Sequence, residues 1–274
     1  MNYTGYIVLN NEEDILHLYR REYDALPQIR NNQYVLIENK DGLIVDYYLF
    51  SGGVFKPIKF PIIGGSFTGE FKPRNPQQYC AFDLMKNRNV PIKLLTGKFG
   101  SGKTLACVVA ALEEIQKGTF EKIVFVRNNV QVKDTDALGA LPGSELDKML
   151  PYVMALGDHC GGAEGIKQLM DKGQLDVVPL GFLRGRSIRN AIIYSMESEN
   201  LTKEQIQLIM GRVDEGSELW MDGDVRQRDK AVFEKSKGLE LMIERLAGNP
   251  LFGYVHLIKS ERSPVAALAD ALDD

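Results

Sequence analysis

The sequence predicts an α/β fold: a mainly parallel sheet covered by helices, preceded by a small helix-plus-β-meander subdomain. Short apolar runs alternate with helix-like segments through the last two thirds of the chain, and β-type runs dominate the first third. A glycine-rich loop also joins one apolar run to a segment rich in Ala and Val. With 274 residues, 44% of them hydrophobic, the chain can bury a sizeable core.

The N-terminal part begins with a predicted short helix over 11–24. Asn10 or Asn11 can cap it, and acidic side chains fill its first turn. Three β-rich runs follow at 33–38, 43–50 and 54–60, separated by the turn pairs Asp41-Gly42 and Gly52-Gly53. We expect these runs to form a meander of hairpins.

The segment 64–76 is rich in Gly, Pro and polar residues, so we place a boundary there, between an α+β subdomain over 1–70 and a second domain over 71–274. Beyond it, strands and helices alternate, which implies right-handed crossovers and a mainly parallel sheet. The predicted strands are 91–96, 122–127, 175–180, 191–195, 218–223 and 253–258. The predicted helices are 76–87, 103–117, 202–213, 238–247 and 263–272, with a mixed helical region over 144–171.

The loop "GKFGSGKT" at 97–104 fits the pattern G-x-x-x-x-G-K-[ST] and lies between a predicted strand and a predicted helix. Its glycines let consecutive backbone N–H groups turn toward one anion, at a helix N-terminus that favours negative charge. Lys103 is expected to reach the β- and γ-phosphates, and the Thr104 hydroxyl to be a ligand of Mg²⁺. The pattern therefore predicts a P-loop NTPase.

The residues before this loop favour ATP as the nucleotide. The guanine-reading pattern Asn-Lys-x-Asp is not found downstream of the loop. Gln78 opens the helix before the loop, in an arrangement similar to the adenine-reading motif of superfamily 1 helicases, and its amide can pair with the adenine edge. The alternative is an ordinary capped surface helix. The predicted nucleotide-binding residues are Gln78, Gly97, Lys98, Phe99, Gly100, Ser101, Gly102, Lys103, Thr104 and Leu105.

Several motifs occur in a specific order from residue 72 to the end: "KPRNPQQ", "LLTGKFGSGKT", "LGALPG", "VPLGFLRGRSI", "SENLTKEQ", "GDVRQRD", "SKGL" and "KSERSP". In this order they resemble the PhoH family, phosphate-starvation-inducible ATPases with a helicase-like nucleotide fold. The resemblance implies a RecA-like or superfamily 1 helicase-like sheet, Mg²⁺-dependent ATP hydrolysis and a homo-oligomer.

The resemblance also implies catalytic roles for four residues. Lys103 would neutralise the γ-phosphate, and Glu197 would orient or deprotonate the attacking water. Gln227 matches a γ-phosphate sensor, and Arg262 matches a late-motif arginine that acts in cis or from a neighbouring subunit. Each of the last three has a simpler interpretation, as a solvated loop acid, a turn residue and a surface charge.

The chain departs from the family at residue 196. The family has Asp-Glu after this strand, where the chain has Met196-Glu197, and relatives have Gln where Glu199 stands. A thioether cannot accept hydrogen bonds from Mg²⁺-bound water as a carboxylate does. Asp222 or Asp224, at the end of the neighbouring strand, could substitute, although Gly223-Asp224 fits the sensor motif better. The sequence leaves open whether hydrolysis is active or weak.

The segment "FLRGRSIR" at 182–189 suits single-stranded RNA or DNA, because it combines arginines with an aromatic residue around a glycine. The candidate nucleic-acid residues are Arg127, Arg184 and Arg186. The alternatives are a solvated basic turn or a contact between subunits. Since only one motor domain is present, action on a strand implies a ring of subunits, of which a hexamer is one form.

The bulk composition excludes other classes of protein. The net charge is −4, so the chain lacks a strong overall field for nucleic acid and any binding must be local. Three dispersed cysteines and three unpaired histidines predict free thiols and no zinc site. With no apolar run of about 18 residues, no membrane span and a cytoplasmic location are expected. Two functions remain: an ATPase coupled to single-stranded nucleic acid, or a nucleotide-binding oligomeric module with weak or no hydrolysis.

Overall fold

The computed structural model describes residues 3–59, 61–66, 68–127, 153–154, 156–225 and 237–261. The predicted helix over 263–272 and residues 144–152 and 155 of the mixed helical region lie outside these ranges, so what was predicted for them stays a prediction. Within the described ranges, the chain forms a small N-terminal sheet, a short hairpin and a six-stranded parallel sheet.

The N-terminal sheet contains one strand that the sequence analysis does not predict. Strands β2, β3 and β4 are antiparallel neighbours, as expected of a meander, but β1 pairs with β2 in parallel. The run that forms β1 has only four residues, too few for a recognisable alternation. Asn11 caps the helix through a 2.9 Å bond from the Glu13 backbone N–H to its Oδ1. The elements are β1 (Tyr6–Leu9), α1 (Glu12–Arg20), β2 (Gln33–Glu38), β3 (Ile44–Ser51) and β4 (Val54–Pro57).

The main sheet confirms the α/β prediction. Its order is β12-β7-β11-β10-β8-β9, and every pair of neighbours is parallel. This order places the glycine-rich loop, which follows β7, next to the end of β11, with the end of β10 one strand further. The strands are β7 (Ile92–Gly97), β8 (Lys122–Arg127), β9 (Leu175–Pro179), β10 (Ala191–Ser195), β11 (Glu218–Gly223) and β12 (Phe252–Leu257).

Helices cover both faces of this sheet. Alternate strand residues divide between two buried clusters, with Leu95 and Tyr194 in one and Leu94 and Ile193 in the other. Helices α2 and α3 pack in the first cluster, and α5 and α6 in the second. None of the helices in the described part of the chain is long and apolar enough to cross a membrane. The helices are α2 (Pro76–Lys86), α3 (Lys103–Gln116), α4 (Gly162–Asp171), α5 (Lys203–Met210) and α6 (Gly238–Leu246).

The segment 64–76, in which the sequence predicts a domain boundary, contributes to a hairpin that packs on α3. The hairpin consists of β5 (Ile63–Gly65) and β6 (Gly69–Phe71). The Gly64 backbone N–H donates to Glu113 Oε2 of α3 at 2.8 Å, and the Ile63 side chain is fully buried. The predicted boundary segment therefore contains two short strands, and the first of them packs on α3.

Buried contacts join the N-terminal sheet to the rest of the chain. Tyr34 of β2 lies in the same cluster as α2 and α3, and its hydroxyl donates to Asp83 Oδ2 at 3.0 Å. The Asn32 side-chain amide lies 2.9 Å from the Pro250 carbonyl and 3.0 Å from the Phe252 carbonyl. Residues on both sides of the predicted boundary at residue 70 thus pack in one core. The division into two domains stays a prediction.

Candidate functional site

The loop over 97–104 leaves β7 and begins α3, as the sequence pattern predicts. The structure shows why two residues of this loop are glycines. A Cβ at Gly97 would lie 2.4 Å from the Leu257 carbonyl oxygen, so only glycine fits beside β12. Gly102 has a φ of 91°, and a Cβ there would lie 2.8 Å from Gln78 Nε2. These glycines keep the loop tight and leave α3 with an N-terminus suited to an anion.

Lys103 is the first residue of α3, and its side chain lies along the loop. Its Nζ donates to the Lys98 carbonyl oxygen at 3.3 Å and lies 5.4 Å from the centre of the Phe99 ring. Phe99 is half exposed at the tip of the loop. The ammonium group therefore lies beside the loop backbone that would surround a phosphate.

Gln78 has a structural role that the sequence analysis does not predict. Its Nε2 donates to the Ser101 carbonyl oxygen at 2.9 Å, and its Oε1 accepts from the Arg74 backbone N–H at 2.9 Å. The side chain is buried. Gln78 therefore fixes the glycine-rich loop to the start of α2, which leaves one amide hydrogen for reading adenine. That role stays a prediction.

The segment after β12 also contacts the loop. The Glu261 backbone N–H donates to the Gly100 carbonyl oxygen at 2.9 Å. Its side chain accepts from Asn75 Nδ2 at 2.8 Å, and Asn75 is the residue that caps α2. Arg262 follows Glu261 in the sequence but lies outside the described residues, as does Gln227.

Met196 and Glu197 follow β10 directly. The Met196 side chain is partly buried against the cluster on the α3 face of the sheet. Glu197 is exposed and has a left-handed backbone, with a φ of 52°. This conformation costs a non-glycine residue on the order of 1–3 kcal/mol and is concentrated at functional sites.

Asp222, near the end of β11, lies directly behind the start of α3. Its Oδ2 accepts from the Thr104 hydroxyl at 2.5 Å and from the Tyr194 hydroxyl at 3.2 Å. Its Oδ1 accepts from the Glu197 backbone N–H at 3.2 Å. Asp222 is fully buried, and burial raises its pKa, while the hydrogen bond from Thr104 and the charge of Lys103 oppose that rise.

Asp222 and Asp224 are both possible substitutes by sequence, and in the structure Asp224 has a different contact. The Asp224 backbone N–H donates to Glu199 Oε2 at 2.9 Å. An acidic residue near the end of a buried apolar strand makes Asp222 a candidate in the sequence, but its contact with Thr104 depends on the order of the strands.

Burial also changes the acidity of Glu199. Burial, with the nearby charges of Asp222 and Glu197, raises the pKa of this carboxyl group to about 8, against the backbone N–H groups that lower it. Asp222 near the end of β11, and Glu197 and Glu199 after β10, therefore lie at the edge of the sheet where Lys103 and Thr104 lie.

These residues suit Mg²⁺ bound together with a phosphate. Within the described ranges, no group of three or more His, Cys, Asp or Glu side chains could hold a metal by itself. Mg²⁺ usually binds through one or two protein groups, water and substrate phosphates, so a complete protein cage is not required. The Thr104 hydroxyl, backed by the Asp222 carboxylate, fits that chemistry. The three cysteines are free and buried, as predicted.

Two of the three candidate nucleic-acid residues, Arg184 and Arg186, lie on an exposed turn between β9 and β10. Arg184 and Arg186 are exposed on either side of Gly185, and 73% of the Phe182 side chain is exposed. Arg189, at the end of the same motif, instead pairs with Asp214, with 2.8 Å between Nε and Oδ2. Arg127 ends β8, and its side chain lies outside the described part.

Comparison with known proteins agrees with this architecture. The PhoH family pattern, described as PhoH-like protein, matches residues 70–270. This chain belongs to the PhoH family. It is 36% identical over 199 residues to Protein PhoH2 of Mycolicibacterium smegmatis, covering 71% of the chain and 45% of that protein.

Two Bacillus subtilis proteins are similar as well. Protein PhoH2 of that organism is 35% identical over 208 residues, which cover 72% of this chain and 46% of the relative. A PhoH-like protein is 33% identical over 183 residues, which cover 65% of this chain and 56% of the relative. The chain therefore spans only about half the length of these PhoH relatives.

Proposed function

We propose that this PhoH-family chain binds ATP with Mg²⁺ at the glycine-rich loop and hydrolyses it. The observation that carries the proposal is the 2.5 Å hydrogen bond from the Thr104 hydroxyl to Asp222, at the loop that also presents Lys103. A threonine hydroxyl that donates to a carboxylate has its oxygen lone pairs free for a cation. When bound, Mg²⁺ would neutralise charge on the β- and γ-phosphates.

The chain's own residues have distinct roles in this proposal. The backbone N–H groups at the start of α3, together with Lys103, hold the phosphates. Glu197, exposed at the end of β10, orients the water that attacks the γ-phosphate. Gln227 senses the γ-phosphate and Arg262 stabilises its charge. The bond between Glu261 and Gly100 supports the role of Arg262, since it fixes the preceding residue to the loop.

We further propose that hydrolysis is coupled to single-stranded RNA or DNA. The exposed Arg184 and Arg186 beside the exposed Phe182 support this coupling, because arginines contact phosphates and an aromatic ring stacks on bases. We also propose a homo-oligomer, as the family resemblance implies, and a ring, of which a hexamer is one form, would suit action on a strand. Arg262 would then act within its own subunit or on a neighbour.

One observation favours a second function, a nucleotide-binding module of an oligomer without turnover. Met196 packs against apolar side chains at the position where the family has its acidic residue, so that metal contact is lost. In this function, bound ATP would stabilise the assembly.

Steady-state ATP hydrolysis with Mg²⁺ distinguishes these functions. We expect turnover by the unaltered chain, a loss of roughly 100-fold or more in Lys103→Ala, and a loss of 10²- to 10⁴-fold in Glu197→Gln, of about the size typical when a general base is removed. Turnover that is absent, or the same in all three proteins, contradicts the ATPase proposal. Tight ATP binding without turnover identifies the second function.

The coupling to nucleic acid is tested by adding single-stranded RNA or DNA to the same assay. We expect the strand to stimulate turnover and the double variant Arg184→Ala/Arg186→Ala to lose the stimulation. Arg20→Ala, which removes an exposed arginine from the last turn of α1, is the matched control and keeps it. Equal stimulation of all three proteins contradicts the role of the turn.

A further inference from the structure

The parallel register places an acidic residue beside the methionine that departs from the family. Ser195 of β10 pairs with Met221 of β11, so Met196 and Asp222 follow at the same level on neighbouring strands. Both side chains lie on the α3 side of the sheet, since Met196 packs on that cluster and Asp222 contacts Thr104 of α3. A carboxylate is thus present at the site, on the adjacent strand.

Each oxygen of the Asp222 carboxylate has a partner from a different part of the site. Oδ2 accepts the Thr104 hydroxyl at 2.5 Å, and Oδ1 accepts the Glu197 backbone N–H at 3.2 Å. Because Asp222 is fully buried, these bonds are not exchanged with solvent. One acidic side chain therefore orients the proposed Mg²⁺ ligand and also holds the start of the turn that carries the proposed catalytic glutamate.

The other acidic side chains have different contacts. Glu199 accepts from the Asp224 backbone N–H at 2.9 Å, and Glu197 is exposed. Among the described residues, Asp222 is the acidic side chain hydrogen-bonded to Thr104. A partner that orients a metal ligand and adds negative charge behind it typically changes metal affinity 10- to 100-fold.

We propose that Asp222 is the positioning residue for Mg²⁺, in place of the acidic residue missing at position 196. The proposal rests on the proposed function, binding of Mg²⁺ with a nucleotide. Asp222 holds the Thr104 hydroxyl with its proton toward the carboxylate and its lone pairs toward the cation. It also balances the charge of the metal. One acidic side chain then still serves Mg²⁺, from β11 instead of from the end of β10. Met196 is therefore compatible with hydrolysis.

Equilibrium binding of a fluorescent ADP analogue, mant-ADP, tests this proposal without using activity. The quantity measured is the gain in affinity between EDTA and saturating Mg²⁺. We expect Asp222→Asn to reduce that gain by about 10- to 100-fold and to leave the affinity in EDTA close to that of the unaltered chain. Asp83→Asn is the matched control, because it removes a partly buried acid of α2 that accepts from the Tyr34 hydroxyl outside the site, and it keeps the gain.

A second pair of variants keeps the proposal falsifiable if Asp222→Asn does not fold. With Asp222 already serving Mg²⁺, Met196→Asp alone changes the gain by less than about tenfold. In the double variant Met196→Asp/Asp222→Asn, the new carboxylate restores the gain that Asp222→Asn lost. If Met196→Asp alone increased the Mg²⁺-dependent gain in affinity by more than about tenfold, the proposal would be overturned. That result would show that the site of the unaltered chain lacks an acid for Mg²⁺.

The results separate this proposal from the proposed function. If the unaltered chain binds mant-ADP in neither condition, both fail. If it binds with a clear Mg²⁺ gain and a folded Asp222→Asn keeps that gain, only the role of Asp222 fails, and Mg²⁺-dependent nucleotide binding stands.

Discussion

Glu199 is a buried carboxyl group close to other acidic side chains, and its ionisation opposes folding. Burial raises its pKa to about 8 from an ordinary value of 4.5, and the charges of Asp222 and Glu197 add to the rise. Because the folded-state pKa lies above the unfolded-state pKa, the folded protein binds this proton more tightly. The free energy of unfolding therefore falls as pH rises from about 4.5 to about 8, and this contribution is then constant.

Replacing Glu199 with Gln should remove this pH dependence. The amide keeps an acceptor for the Asp224 N–H but cannot ionise, so we expect the variant to be more stable than the unaltered chain at alkaline pH. Measured by thermal unfolding in EDTA, the difference in Tm should widen by roughly 5–10 °C between about pH 5.5 and about pH 9.

The control for this prediction is Glu204→Gln on α5. Glu204 is fully exposed, and bonds from its own backbone N–H and from Thr202 lower its pKa. The acid is ionised in both the folded and unfolded states above about pH 5.5, so its effect on Tm should not vary over that window. A Tm difference for Glu199→Gln that is equally constant would contradict the raised pKa.

Asp222 shows why the sequence alone predicts the local part of the candidate site but not the contacts that join its residues. The glycine-rich loop is a local pattern, so Lys103 and Thr104 can be assigned from spacing. The partner of Thr104 comes from a strand 118 residues away. Its assignment depends on β11 lying beside β7, and no local pattern indicates that neighbour.

Most predicted strands and helices agree with the structure to within about one residue, and the strands 122–127, 191–195 and 218–223 match it at both ends. The predicted elements over 11–24, 54–60 and 202–213 end three or four residues later than the observed ones, and the elements that were missed are short. Strand β1 has four residues, and β5 and β6 have three each, so tertiary contacts rather than an alternating pattern determine them. Helix α2 was predicted, but the hydrogen bond by which its Gln78 side chain fixes the glycine-rich loop was not.

Truncation of Gln78 should therefore destabilise the protein itself. Gln78→Ala leaves the Ser101 carbonyl and the Arg74 N–H without these partners, and an unsatisfied buried group costs about 1–3 kcal/mol. We expect the free energy of unfolding to fall by about 2–4 kcal/mol in urea denaturation of the nucleotide-free protein. The control is Gln116→Ala, which removes an exposed glutamine bonded to Ser66 and should change stability little.

The Gln78→Ala variant also tests the prediction that Gln78 reads adenine. If Gln78 only fixes the loop, the affinities for ATP and GTP should fall by the same factor. A larger loss for ATP would confirm that its remaining amide hydrogen reads adenine. An unchanged free energy of unfolding would contradict the structural role assigned to its two hydrogen bonds.

The arrangement of the whole molecule follows from the parallel sheet. Strand order β12-β7-β11-β10-β8-β9 brings the glycine-rich loop, Asp222 and Glu197 to one edge, although they are far apart in sequence. The alternation of strands and helices predicted this class of sheet but could not give the order. The N-terminal sheet shares its core with α2 and α3, a contact that composition could not reveal.

Above all, we propose that this PhoH-family chain binds a nucleoside triphosphate through the loop before α3. Isothermal titration calorimetry with Mg²⁺ and a slowly hydrolysed ATP analogue tests it most directly, using the unaltered chain, Lys103→Ala and, as a matched control, Lys167→Ala on the exposed face of α4. We expect binding by the unaltered chain and the control, and a loss of affinity of at least about tenfold, or 1.4 kcal/mol, in Lys103→Ala. No binding by the unaltered chain, or equal binding by all three proteins, would contradict the claim.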